Sequence, residues 1–408
     1  MSAFPDSYSL TALKFTAVLG LFPWKLTFQN NRFYQILYYW YSLFVLCWDI
    51  GFVFTSYVEL VIMLNGEVLH IDEICTNIRI TTIYTCIIIR LVMIRTSSGL
   101  LVLIQEIIDS DKQTTIVDDE ETSKLIKTET SNNNMKFIWY VSICCSIGLQ
   151  FFIRPLVTEP EIIEIAPNIT EVGPRDLIIL TWFPFDEQKY YWVAYFLQVI
   201  DGIIGTLFVA LSDVFIVNLI LYPTTQLKKL QHIFRNFEEY QQSYMKQYNG
   251  ESEESAGIKV IVELVQRHQR IIKFVETFNG WMGPLMVFDF LQSSIQIASI
   301  LISDLRSDIT FAMVCFIVTF FVGMVLRLYL HYYSANELIL ESQKVADAIW
   351  YSNWYEQSPK IKYLMLIVII RAQKSLKYNI GAFGIMSLES GIAILKATYT
   401  YITVFTNN

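Results

Sequence analysis

The chain has 408 residues, of which 54% are hydrophobic and only 17% charged, with a formal charge of −8 and a mean hydropathy of +0.41. A soluble domain carries about 25% charged residues, so this composition predicts a polytopic membrane protein, and the acidic balance argues against nucleic acid as a partner. The six cysteines lie in or beside apolar blocks without a CxxC, and the four histidines are scattered. That pattern predicts no metal site, no cofactor and no disulfide framework.

The N-terminal "SLTALKFTAVLGLFPWK" is weakly apolar and interrupted by Lys14, which reads as an amphipathic segment at the cytoplasmic interface rather than a cleaved signal. A bilayer core of about 30 Å needs about 20 helical residues. Six blocks meet this, at approximately 33–64, 74–104, 136–155, 190–222, 284–303 and 309–333, and Ser387–Phe405 makes a seventh. A polar segment with helical periodicity, 223–283, separates blocks four and five. The sequence "AIWYSNWYEQSPKIKYLMLIVIIRAQKSL" follows block six. Its apolar core, "YLMLIVII", is too short to span, so it reads as a cytoplasmic helix buried against protein, with Pro359 in its first turn and Ser358 as its cap.

Lys and Arg set the orientation. Counted on alternate sides of seven spans, they number 21 against 4. The expected topology places the N-terminus in the cytoplasm and the C-terminus outside. The sequon at Asn168 falls in a loop assigned to the outside, where it is a candidate glycosylation site. The expected fold is therefore all-α, with seven transmembrane helices and a cytoplasmic helical anchor. Its segments are 1–222 (spans one to four), 223–283 (cytoplasmic extension helices), 284–333 (spans five and six), 334–376 (anchor) and 377–408 (span seven).

Asp49 and Glu59 lie in span one, Asp201 and Asp213 in span four and Asp289 in span five. Such groups face a bundle interior or water. Asp201 and Asp213 are about 18 Å apart along a helix and need separate partners, for which Arg79, Arg90 and Arg95 of span two are candidates. Span seven is the most polar. Its Thr400, Val404 and Asn408 recur at spacing four on one face, which suits either a water-lined pathway or a subunit interface. The outer halves of spans two, three, four and six are rich in aromatic and branched residues, among them Tyr84, Phe151, Phe152, Tyr195, Phe196, Phe311 and Phe316. That richness fits an apolar ligand cavity or ordinary helix packing.

The C-terminal third carries "S..VADAIWYSNWY", then "RAQK", then "SLESGIAILKATYTYIT". With "LGLFPW" near the N-terminus and "RHQRIIKFVETFN" at 267–279, these elements resemble the insect odorant receptors over about 110 residues. The related gustatory receptors end differently from "TYITVFTNN", and the shared co-receptor of the family has a much longer segment between spans four and five. The resemblance thus implies a ligand-tuned subunit that joins the co-receptor in a heterotetrameric, ligand-gated, non-selective cation channel. It would reside among membrane lipids in the plasma membrane of olfactory sensory dendrites. It implies an outer-leaflet cavity for small volatile hydrophobic molecules, for which the lining candidates are Ile80, Ile83, Tyr84, Ile87, Gly148, Phe151, Phe152, Tyr195, Val199, Ile203, Phe311 and Cys315. It implies a pore lined by span seven, narrowest at Val404, with Thr400 deeper and Asn408 one turn outward.

Rival classes fit less well. A G-protein-coupled receptor has the opposite orientation, and neither Glu/Asp-Arg-Tyr nor Asn-Pro-x-x-Tyr appears at the required places. A transporter would show internal repeats. An enzyme would need a convergent set of catalytic side chains. A gustatory-type channel remains the alternative within the same superfamily.

Overall fold

The computed structural model describes residues 16–17, 19–20, 31–66, 71–112, 120–158, 162–166, 169–247, 252–304, 311–381 and 384–406. Among the described residues, ten α-helices of 11 residues or more carry the fold. They are α1 (Arg32–Leu64), α2 (Ile71–Thr96), α3 (Ser98–Lys112), α4 (Glu120–Val157), α5 (Tyr191–Arg235), α6 (Phe237–Gln247), α7 (Glu253–Asp304), α8 (Phe311–Trp350), α9 (Pro359–Ala372) and α10 (Leu388–Thr406). A short antiparallel hairpin, β1 (Ile162–Ala166) and β2 (Ile169–Val172), pairs Ile162 with Val172. It qualifies the all-α expectation. Asn168 lies outside the described residues.

Among the described residues, five helices are long and apolar enough to cross a membrane. The outer face of α1 shows why these helices belong in lipid: Phe33, Trp40, Phe44, Phe54 and Val61 are all exposed. In water such a continuous apolar surface would drive association; in hydrocarbon it costs nothing. The Asn31 side chain accepts from the Phe33 N–H at 3.1 Å and starts α1.

The sequence-drawn limits at 222, 283 and 333 fall inside continuous helices. α5 runs through Pro223, α7 through Pro284, and α8 from Phe311 to Trp350. At 1.5 Å per residue the 52-residue α7 is about 78 Å long, more than twice the bilayer core. A membrane boundary changes what surrounds a helix, not its backbone, so composition shifts there without a break. Block two does break: Ser97 accepts the Leu100 N–H at 3.2 Å and opens α3.

The core of the part outside the bilayer is built from α5, α7, α8 and α9, with Phe234, Leu264, Val345, Ala348 and Ile361 fully buried. After α8 the chain turns through Tyr351–Asn353 and a short 3-10 turn, Trp354–Glu356, with Trp350 and Trp354 stacked 5.7 Å apart. Pro359 opens α9 as expected, but Ser358 is no side-chain cap. Its carbonyl accepts from Lys362, while its hydroxyl is buried without a partner. α9 buries Ile361, Met365, Val368 and Ala372 against α7 and α8. Beyond it, Tyr378 donates to the Ile220 carbonyl at 3.2 Å and packs on Phe278. Asn279 clamps the segment from both sides, donating to the Lys377 carbonyl and accepting from Asn379 N–H.

Five helices meet at one charge cluster. Arg90 of α2 donates to Asp213 of α5 at 2.5 Å and to Asp289 of α7. Arg327 of α8 donates to Asp213 at 2.8 Å and also to Asp289. The hydroxyl of Tyr140, on α4, donates to Asp213. Ser212 accepts from Arg90 at 3.1 Å and Ser293 from Arg327 at 2.8 Å. All four charged side chains are buried, and their formal charges cancel. Asp201 takes a separate partner, the Trp48 indole N–H, at 2.5 Å. Asp49 has none for its Oδ2, because Arg95 turns instead to the Ser42 carbonyl.

Two predictions follow from these contacts. Removing one member of a buried ion cluster costs about 3–5 kcal/mol, because it strands the opposing charge. Asp289→Asn or Arg327→Gln should each collapse the yield of monodisperse, detergent-extracted protein. The double variant restores neutrality and should recover more than the two single losses predict; additive losses would show that the cluster does not act as a unit. The second concerns His268 in α7, outside the spans. Burial, and then the Arg371 charge, lower its pKa to about 4, against about 6.5 unfolded. Its neutral form therefore stabilises the fold fully above about pH 6.5, and that contribution is lost as the pH falls toward 4. The thermal midpoint should drop on acidification, and His268→Gln should flatten the slope over that window.

Candidate functional site

Beside the charge cluster lies a cavity of about 140 Å³ between α2, α4, α5, α7 and α8. Its walls are overwhelmingly apolar. α2 contributes Ile80, Ile83, Tyr84 and Ile87; α4 contributes Ile147, Gly148, Phe151 and Phe152; α8 contributes Phe320, Gly323 and Met324. The α5 wall is Gly202, Gly205, Thr206 and Val209, spaced i, i+3, i+4 and i+7 on one helical face. Arg90, Arg327 and Tyr140 form the floor, and each is already bonded within the cluster.

Two glycines set the width. The Tyr84 ring lies against Gly205, where an added Cβ would come within 2.0 Å of the phenol oxygen. The Tyr84 hydroxyl donates to the Asp201 carbonyl at 3.2 Å, and its ring packs on Phe52 with centroids 4.8 Å apart. Phe152 occupies the corresponding place on Gly202, 2.4 Å from a Cβ there. Any side chain at either position would displace an aromatic ring of the cavity wall.

The roof is a loop. Ile178 and Ile179 close the cavity from the side of the hairpin. Gln198 of α5 holds them: its Oε1 accepts the Ile178 N–H at 2.9 Å and the Ile179 N–H at 3.2 Å. Its Nε2 donates to the Ile179 carbonyl at 2.6 Å and to Thr181 at 3.0 Å.

Of the residues expected to line a ligand site, the structure gathers Ile80, Ile83, Tyr84, Ile87, Gly148, Phe151 and Phe152 around this space. Tyr195 and Val199 stand behind the wall, in the cluster packed with Phe52 and Ile179, and the Tyr195 hydroxyl donates to the Phe152 carbonyl at 2.9 Å. Ile203 is exposed, because it sits about 100° around α5 from Gly202. Cys315 is exposed too; the cavity face of α8 begins at Phe320, more than a turn deeper. The Phe311 side chain lies outside the described residues. Of the expected pore residues, Thr400 is exposed on α10 and its hydroxyl donates to the Lys396 carbonyl at 3.1 Å. Val404 lies in the last turns of α10, its side chain outside the described residues, as is the whole of Asn408.

Of the floor, sequence reasoning named Arg90 but missed Arg327 and Tyr140, and it missed the roof. Arg327 was legible as a lone cation inside an apolar run, "FVGMVLRLYLHYY". Ile178 and Ile179 belong to "DLIILTWF", an apolar patch in an otherwise polar loop. Gln198, Gln292 and Gln296 carried no signal beyond being amides in apolar helices. Among the described residues no group of His, Cys, Asp and Glu could hold a metal ion.

Comparison with known proteins agrees with this architecture. The family model for the 7tm odorant receptor matches residues 70–399. Odorant receptor 10 of Aedes albopictus is 24% identical over 291 residues, covering 71% of this chain and 72% of that protein. Odorant receptor 67c of Drosophila melanogaster is 22% identical over 241 residues, 57% of either chain. The odorant receptor coreceptor of Anopheles gambiae is 24% identical over 140 residues, 34% of this chain and 29% of that one. In fold, the insect olfactory receptor OR5 from Machilis hrabei in complex with eugenol superposes with a TM-score of 0.77 at 16% identity, over 98% of this chain and 97% of its own. These relatives are receptors, not enzymes, and the match to the family model covers most of this chain: it belongs to the insect odorant receptor family.

Proposed function

We propose that this chain is the ligand-tuned subunit of an odorant-gated cation channel, assembled with the family's co-receptor in the plasma membrane of sensory dendrites. The observation that carries the proposal is the apolar cavity seated on the charge cluster. A dry apolar cavity of about 150 Å³ binds benzene-sized molecules, so this one suits a small volatile hydrophobic ligand. Binding shifts a conformational equilibrium only by its differential affinity for the two states. Here the walls belong to α2, α4, α5 and α8, and the floor Arg327 grips Asp289 of α7. α10 packs on both α7 and α8, with Gly391 against Tyr332, five residues beyond Arg327. A ligand that changes the spacing of the walls thus acts on the two helices that seat the pore helix.

The same reading gives α9 its role. Tyr363, Leu366, Ile367 and Ile370 form an exposed apolar face opposite its buried one. Outside the bilayer, such a face is covered by another subunit. Ile369 packs partly on the chain's own core, so Ile370 is the better interface probe. In the double variant Leu366→Asp with Ile370→Asp, membrane insertion should persist while tetramers disappear from native gels. Normal tetramers would remove α9 from the interface.

The channel itself is tested on cells expressing this chain with the co-receptor and exposed to a panel of small volatiles. Wild type should pass a ligand-dependent cation current. An apolar constriction blocks ions by dewetting, so Val404→Ser should raise the ligand-free current or alter selectivity in single-channel recordings. Unchanged permeation, in tetramers shown to contain the variant, would take Val404 out of the pore.

A further inference from the structure

Within a membrane, a helical Ser or Thr ordinarily closes its hydroxyl onto the carbonyl one turn back, because no water is there to take it. The helices around the cavity follow that rule. Thr82 of α2 donates to the Ile78 carbonyl at 2.6 Å, Ser142 of α4 to Ile138 at 2.8 Å and Thr319 of α8 to Cys315 at 2.7 Å. Thr206 of α5 departs from it. Thr206 is half-buried and lines the cavity. Among the described residues its hydroxyl has no hydrogen-bond partner, not even the Gly202 carbonyl one turn back. Nor is its oxygen sealed in the packing; it keeps accessible surface. It faces α4, where Gly148 leaves it room: a Cβ there would lie 2.7 Å from the Thr206 oxygen.

We propose that Thr206 is a specificity-determining residue whose hydroxyl donates to a ligand carbonyl, so that the preferred ligands are small aldehydes, ketones or esters. This inference rests on the reading of the cavity as the odorant site. Donor counting selects the carbonyl. A hydroxyl has one donor and two acceptor sites. A hydrocarbon in the cavity leaves the Thr206 donor unmet. An alcohol pairs with it through one bond, and one O–H of the pair remains unmet. A carbonyl makes the same bond and strands no donor. In a water-poor space that difference counts for more than it does in water. Arg90 and Arg327 donate to two carboxylates and two serines, and the Tyr84 and Tyr140 hydroxyls are bonded. Arg79, Gln292 and Gln296 also line the cavity, each 6% exposed or less, and Arg79 donates to Thr76 at 3.1 Å. Substitution of Thr206 alone separates its contribution from theirs.

The test uses benzaldehyde and styrene, two flat probes of nearly the same shape that differ in the carbonyl. Both the current from the heteromer and the ligand-induced thermal stabilisation of the purified heteromer are measured. Thr206→Val keeps the branched shape and loses the donor. It should shift the ratio of the two half-maximal concentrations roughly 3- to 10-fold in favour of styrene, the range expected for one neutral hydrogen bond. Thr206→Ser keeps the hydroxyl and should hold the ratio near that of wild type. An unshifted ratio in Thr206→Val protein that elutes as a normal assembly overturns the proposal and assigns any carbonyl preference to another group of the wall. An equal shift in Thr206→Ser overturns it too, because the effect then follows shape. Wild type alone gives a further reading, independent of the fate of the variants. After correction for each probe's partition from water into hexadecane, benzaldehyde should be the more potent by at least roughly threefold; equal corrected potency overturns the proposal. In each of these cases stabilisation by both probes leaves the cavity reading standing. If neither probe stabilises the heteromer or evokes current, the cavity reading fails and the proposal with it.

Discussion

Two arginines and two aspartates buried among membrane helices are the constraint on which the rest of the structure depends. An isolated charge at that depth is expensive and must be paired. Here each arginine reaches both carboxylates, and a tyrosine and two serines absorb remaining capacity. Such a cluster tolerates little sliding. A shift of α8 against α5 by one residue would carry Arg327 about 1.5 Å along the axis and out of its bonding geometry with Asp213. The cluster therefore fixes the relative register of α2, α4, α5, α7 and α8. Non-directional apolar contacts cannot do this inside lipid, where the solvent is as apolar as the side chains. The cavity exists because this register holds Gly202 and Gly205 opposite Phe152 and Tyr84.

The second consequence concerns length. Because α5, α7 and α8 run unbroken from the cavity to the core around α9, that region is a continuation of the same rods rather than a domain attached to them. The clamp of Asn279 on Lys377 and Asn379, and of Tyr378 on Ile220, holds the segment entering α10 to α5 and α7. The start of the last helix is thus tied to the rods themselves.

Much of this was legible in the residues because lipid imposes a coarse code. Long apolar blocks became helices, and the short run "YLMLIVII", too short to span, became α9 with Pro359 in its first turn. The rest was hidden for identifiable reasons. The continuity of the helices through 222, 283 and 333 was not legible, because apolarity reports the solvent, not the backbone. Ile203 and Cys315 were drawn into the expected site by residue type, whereas the true wall follows one face of each helix and a depth set by packing. Arg90 was legible as a partner for a buried aspartate. Arg327, equally anomalous in its apolar run, completes the cluster, and its role depends on Asp213 and Asp289 arriving from 114 and 38 residues away. Gln198 holding the Ile178–Ile179 roof is a contact no periodicity encodes.

The energetics of the cavity bound how such a receptor can be gated. At about 24 cal/mol per Å³ for a dry apolar cavity, filling about 140 Å³ returns at most roughly 3 kcal/mol. That sum acts on gating only to the extent that the cavity differs between closed and open states. At about 1.4 kcal/mol per factor of ten, it shifts an equilibrium by at most roughly two orders of magnitude. Moving a channel from about 1% to 99% open takes roughly 5.5 kcal/mol. A single apolar cavity therefore falls short, and three features make up the difference. A resting bias smaller than this lowers the requirement. A second ligand-bound subunit adds its own increment. A polar contact made in only one state adds to apolar filling without needing more volume, and a cavity this small has no other way to grow its signal. An apolar wall alone gives weak discrimination, since one methylene is worth only about 1–3 kcal/mol. The strength of the response and its selectivity thus depend on the same few side chains, those of the cavity wall whose contacts with the ligand differ between the two states.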